Sequence, residues 1–155
     1  MTDYDGNQAV GSFYALLPVS GPGRMIFTRI YRVVFTKTQL LGLLKTEPYS
    51  SYDWEDIKSK ASGNELVSNG NVNESNDDME KADIKVNYSK IKEVKFEKIS
   101  LFGMQTEATK TKYHVVFDAG LFDVIDTCMF VVDQSILDSV KDIIMSTPLS
   151  TKFKQ

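Results

Sequence analysis

Strand-like apolar runs stand on both sides of a long polar middle, and one amphipathic helical pattern closes the chain. A sequence in this order buries its apolar faces by bending a small sheet around a core and covering it with the terminal helix. Residues 25–35 are dense in β-branched and aromatic side chains and contain neither Gly nor Pro, which predicts a long strand. Ser20, Gly21, Pro22 and Gly23 mark where it begins. Thr36, Lys37 and Thr38 suit a tight turn into a returning strand over 39–44, so a hairpin centred on Lys37 is expected.

The closing pattern is the best-defined element. Ile136, Leu137, Val140, Ile143 and Ile144 fall on one helical face, Ser135 with Asp138 suggests a capping box, and Pro148 is expected to stop the helix. Burying those five side chains contributes on the order of 8 to 15 kcal/mol before entropy is subtracted. The helix is therefore expected to act as a structural plug, with residues 147–155 as a flexible tail.

Between these ends, residues 47–83 are poor in large apolar side chains. A short helix is expected to begin after Ser51 or Asp53, followed by a mobile acidic insertion over 59–82. Strand character resumes where Ile84, Val86 and Tyr88 alternate with polar residues, and a bulge or turn near 89–92 leads into Val94, Phe96 and Ile99. Residues 113–118 predict another strand, and Ala119 with Gly120 the turn into a last strand over 121–132. In that run Phe122, Val124, Cys128, Phe130 and Val132 share a face, and its apolar C-terminal end is expected to be covered on two sides.

The 155 residues, with 42% hydrophobic and 25% charged side chains, suit one ordinary globular domain over 1–155. A single cysteine, Cys128, excludes an internal disulfide and a Cys-rich zinc site. The stretch Ala9 to Val19 lacks a basic leader and is interrupted by Ser12, Tyr14 and Pro18, so it is expected to be neither a signal peptide nor a membrane span, and the protein is expected in the cytoplasm. The net charge of -3 hides alternating blocks: residues 1–45 carry +3, 46–83 carry -7, 84–112 carry +4 and 113–155 carry -3. No strongly basic footprint for nucleic acid exists.

Catalytic signals are weak. His114 is the only histidine and has no neighbouring ligand or triad pattern, so it reads as a strand residue. Cys128 reads as a small buried side chain. Asn69, Asn71, Asn73, Ser75, Asp77 and Glu80 have the spacing of an EF-hand loop, but Glu74 stands where the turn glycine belongs and no apolar helices flank it. No cofactor or metal is implied. The turn at Gly21 to Arg24 lacks the spacing of a phosphate-binding loop. Arg29 and Arg32 fall on opposite faces of their strand.

Candidate binding residues remain. Trp54 offers an aromatic anchor for a partner. Lys85, Lys90, Lys92, Lys95 and Lys98 form a basic strip interleaved with Glu93 and Glu97, which Arg24 and Lys37 would extend towards an anionic surface.

Residues 23–26, 31–40 and 84–94, taken in order, resemble the bacterial pleckstrin-homology-like and GRAM-like domains: a strand ends in a Thr-containing turn, the next opens with Leu, and an I-x-Y-x-x-I-x-x-V-like segment precedes further strands and a capping helix. The resemblance spans about residues 13–146. It implies an α+β, mostly β fold, a bent antiparallel sheet or partly open barrel of about seven strands capped by one C-terminal helix, and a non-catalytic role in recognising lipid head groups or protein segments. The turn at 36–38 carries a single lysine and the insertion is acidic, so a protein partner or a homo-oligomer is the first expectation. Anionic lipid head groups are the second. An enzyme with Asp118, Asp123 and Asp126 is the third, although strand spacing separates Asp118 from the other two.

Overall fold

The computed structural model describes residues 8–61, 66–70, 74–99, 110–123 and 126–154. Two long strands lead: β1 (Ala9–Ser20) and β2 (Ile26–Thr36) pair antiparallel from Ser20↔Ile26 back to Ala9↔Thr36. β3 (Gln39–Leu44) returns through the expected hairpin, whose turn is held by Thr36 Oγ1, accepting from Thr38 N and Gln39 N and donating to Gln39 O. The chain continues through α1 (Trp54–Lys60), β4 (Val67–Ser68), α2 (Asn76–Glu80), β5 (Ile84–Asn87), β6 (Glu93–Lys98), β7 (Lys112–Asp118), β8 (Cys128–Asp133) and α3 (Leu137–Met145). One mostly antiparallel sheet results, in the order β5-β3-β2-β1-β8-β7-β6. The second edge of β1 is shared: β4 takes Ser12 and Phe13, and β8 meets Leu16. The fold is α+β and mostly β, as expected.

The sheet is strongly bent. Phe35 on β2 and Phe117 on β7 are separated by two intervening strands, yet their rings approach to 5.9 Å. A flat sheet would hold them about 14 Å apart at ~4.8 Å per strand. Phe130 touches the rings of Phe13, Tyr31 and Phe117, closing an aromatic core inside the curve. α3 covers one end of it with Val140, Ile143 and Ile144, joined by Ile136 just before the helix, all buried. Its approach to β1 needs a glycine, because a Cβ on Gly11 would lie 2.7 Å from Ile143 Cγ2.

Several expectations change. The helix does not start with a capping box at Ser135. Asp133 accepts from Ser135 N, and a single 3-10 turn over Gln134–Ile136 runs directly into α3. Pro148 opens a new 3-10 turn rather than merely stopping the helix, with Thr147 Oγ1 accepting from Leu149 N. The expected flexible tail is packed through 154: Leu149 is fully buried, Phe153 meets Phe96 at 5.1 Å, and Lys154 N donates to Val94 O at 2.7 Å. Within the stretch expected as a mobile insertion, β4 pairs with β1, and Met79 of α2 packs with Val34, Leu41 and Leu43 on the outer face of β2 and β3. Residues 62–65 and 71–73, with the central EF-hand-like positions Asn71 and Asn73, lie outside the described residues.

The last strand is shorter than expected. Leu121 and Phe122 sit in an exposed turn, and β8 begins only at Cys128. Local side-chain bonds replace the ladder there: Asp118 Oδ1 accepts from Gly120 N, Thr127 Oγ1 accepts from Ala119 N, and Gly120 adopts φ 95°. Val124 and Ile125 lie outside the described residues. The second face of β8 is mixed: Met129 near its start is exposed, whereas Val131 towards its C-terminal end is partly buried against the core. β2 is covered on both faces, because α2 lies over its outer one.

Candidate binding site at the open end of the sheet

α3 sits where β1 begins and β2 ends, so the opposite end of the curved sheet is not plugged by it. Antiparallel pairing of Leu16 with Val131 brings the end of β1 beside the start of β8. Leu17 and Val19 of β1, Arg29 and Tyr31 of β2, Ile84 to Val86 of β5, and Asp83, Asp126, Thr127 and Cys128 line a cavity of about 520 Å³ there. The β1–β2 turn raises Met25 and Ile26 (59% and 68% exposed) at this end, and the β7–β8 turn raises Leu121 and Phe122 (89% and 103%). Large apolar side chains this exposed, at two turns of the same end, are the clearest departure from an ordinary surface.

Polar groups around it are engaged in separate pairs. Tyr31 Oη donates to Asp83 Oδ2 at 3.2 Å, and burial, with Asp83 beside it, raises the phenol's pKa against the opposing pull of Arg29. Arg29 Nε donates to Pro48 O at 3.0 Å, and Lys85 Nζ donates to Glu80 O. Lys90 pairs with Asp126 at 3.1 Å. Burial, followed by the nearby Asp126, pushes the Cys128 thiol up to about 11, so it is not a thiolate at neutral pH. His114 is half-buried on β7, and burial lowers its pKa while Glu97 opposes the shift. Among the described residues no group of three His, Cys, Asp or Glu side chains is placed to hold a metal, and no helix is long and apolar enough to cross a membrane.

The expected basic strip is not one surface. Lys85 lies on β5 and Lys95 and Lys98 on β6, at opposite ends of the strand order. Lys95 sits between Glu93 and Glu97, at 3.7 and 3.4 Å. Arg24 and Lys37 are both exposed, but they flank β2, whose 11 residues set them at least roughly 30 Å apart. Lys90 and Lys92 do reach the open end: Lys92 N donates to Asp118 O, beside the β7–β8 turn. Trp54 is no exposed anchor. It is 4% exposed at the first position of α1, where Asp53 and Asp56 complete a capping box and turn the indole into the core.

Two groups carry no sequence signal for their placement. Tyr31 and Asp83 stand 52 positions apart and meet only because β5 pairs beside β3. Arg32 is buried, its guanidinium 5.0 Å from the Tyr14 ring and its Nε without a hydrogen-bond partner among the described residues. Alternation assigns Arg32 to the face opposite Arg29, but the cover supplied to that face by a distant segment is not readable from the strand itself.

A second groove of about 710 Å³ lies between α1 and the end of β3. Its polar groups hold loops in place: Thr46 Oγ1 accepts from Ile30 N, and Lys45 pairs with Glu74. The open-end cavity, with its exposed apolar rim, is the better candidate. Comparison with family models, curated proteins and solved structures yields no match for the chain.

Proposed function

We propose that this chain is a non-enzymatic binding module of pleckstrin-homology-like architecture, which recognises a protein partner or a second copy of itself through the open end of its sheet. One observation carries the reading: the cavity there is flanked by two turns that hold Met25, Ile26, Leu121 and Phe122 in solvent. Such side chains are the usual anchors of protein contacts. A single unpaired cysteine agrees with a cytoplasmic setting. The test is chemical crosslinking in native extract, together with sedimentation of the purified chain, for wild type and an Ile26→Ser/Phe122→Ser double variant. The variant is expected to keep its melting temperature and lose the crosslinked partner or the self-association. Identical complexes from both proteins would remove the open end as the recognition surface.

Peripheral binding to anionic lipid is the second reading, favoured by Arg24 standing next to exposed Met25 and Ile26. It is the weaker of the two. Around the open end, Arg24, Arg29, Lys85, Lys90 and Lys92 are offset by Asp83, Asp118, Asp123 and Asp126, leaving little net attraction for a negative surface. Flotation with phosphatidylserine vesicles at low salt is expected to leave the protein unbound. Salt-sensitive flotation would reverse the ranking.

A further inference from the structure

We propose that the occupant of the open end is a second copy of this chain, docked across a two-fold axis so that the β1–β2 turn of each copy meets the β7–β8 turn of the other. The inference rests on the open end being the recognition surface and names its partner.

The two turns carry matching chemistry. In each, two exposed apolar side chains stand next to one charge: Arg24, Met25 and Ile26 in the first, Leu121, Phe122 and Asp123 in the second. Set antiparallel, Arg24 of one copy falls opposite Asp123 of the other, Met25 opposite Phe122 and Ile26 opposite Leu121. A two-fold axis between the turns makes this contact twice, because the rotation that carries the first turn onto the second also carries the second onto the first. Both turns lie at the same end of the sheet, as that symmetry requires. The four side chains expose roughly 600 Å² per copy, so their pairing covers about 1,200 Å² in total, enough for a specific interface.

The charges of the two turns are opposite and unspent. Residues 20–26 carry one charged side chain, Arg24. Residues 118–126 carry three carboxylates against the two flanking ammonium groups of Lys90 and Lys92, a net charge of -1. Two of the three are engaged: Asp118 accepts from Gly120 N, and Asp126 pairs with Lys90. The Asp123 carboxylate makes no hydrogen bond or ion pair among the described residues, although Lys90 lies near enough for its charge to be felt. Arg24 likewise makes none, while Arg29 is bonded to Pro48 and Arg32 is buried. Arg24 is also the sole non-glycine residue at positive φ (64°) among the described residues, a strained backbone that glycine would adopt freely. No contact among the described residues accounts for an arginine there, whereas a carboxylate on a second copy does. Self-complementarity of this kind favours a copy of the chain over an unrelated protein.

Charge reversal tests the pairing, read by sedimentation equilibrium and native mass spectrometry of the purified chain. Wild type is expected to equilibrate between monomer and dimer. Arg24→Asp and Asp123→Arg are each expected to raise the dissociation constant at least about tenfold with the melting temperature unchanged, since each sets like charges together twice per dimer. Aspartate tolerates a left-handed backbone, so the first substitution keeps the turn. In an equimolar mixture of the two variants, one copy carries carboxylates at both turns and the other cations at both. A mixed dimer of wild-type affinity is therefore expected, although neither variant pairs with itself. Asp123→Asn, the conservative change, is expected to weaken self-pairing without disturbing the fold. A wild type that stays monomeric at millimolar concentration, reversals that leave the dissociation constant unchanged, or a mixture that pairs no better than either variant overturns the proposal. If the purified chain is monomeric while the Ile26→Ser/Phe122→Ser variant still loses its crosslinked complex in extract, the partner is another protein: the second copy is then refuted and the protein-binding reading stands.

Discussion

At the scale of single residues, the most heavily engaged carboxylate is Asp133, where β8 hands over to α3. Burial on its own would raise its pKa, but Ser135, Lys112 and Thr111 all donate to it, and their sum holds the group at about 2, below the ordinary 3.8. Its proton is thus bound more tightly in the unfolded chain than in the folded one. The resulting stability is fully present above pH 3.8 and disappears as pH falls through about 2. It amounts to about 2 kcal/mol. Asp133→Asn is expected to lower unfolding free energy by about that much at pH 7, with the gap narrowing towards pH 2 in urea denaturation. A gap of constant size across that range would refute the linkage. Residue types alone revealed little of this. Ser135 and Asp138 have the spacing of a capping box, yet Asp133, one turn earlier and held by the neighbouring strand, takes the bond from Ser135 N.

Among the elements, α2 shows best how local sequence and tertiary role diverge. Five residues, three of them acidic, are too short to hold a helix by themselves. The segment is helical because Ser75 caps it, accepting from Asp78 N, and because Met79 is buried against Val34, Leu41 and Leu43. Met79→Ala is expected to cost about 2 kcal/mol in equilibrium unfolding. No measurable loss would mean that α2 rests on the sheet without stabilising it. Charge and polarity led to the expectation of a mobile insertion here, but one methionine set among acidic residues decides where the segment docks. The inward face of the closing helix, by contrast, was legible, because side chains at helical spacing leave one way to bury them: Ile136, Val140, Ile143 and Ile144 are buried and Leu137 partly so. The 3-10 turn after Thr147 was not. Its stability comes from Leu149 buried in the core and Phe153 meeting Phe96 of β6, which no local pattern announces.

At the scale of the whole molecule, the bend of the sheet creates both the core and the open end. Phe130 stands at the focus of that bend, touching rings from β1, β2 and β7 at once. Phe130→Ala is expected to cost about 3 to 5 kcal/mol and to lower the thermal midpoint accordingly. A loss under about 1 kcal/mol would show that the sheet holds its curvature without the aromatic cluster. The sequence by itself determined the strand-forming runs, the hairpin at Lys37, a short helix starting after Ser51 or Asp53 and the inward face of α3, since each follows from periodicity or turn chemistry within a dozen residues. Only the tertiary structure decided that Trp54 is core, and that Arg29, Tyr31 and Asp83 share a cavity. The physical reason is that side-chain spacing fixes which face of an element is apolar, whereas the partner of that face, and the end of the sheet left open, depend on pairing between strands distant in the chain.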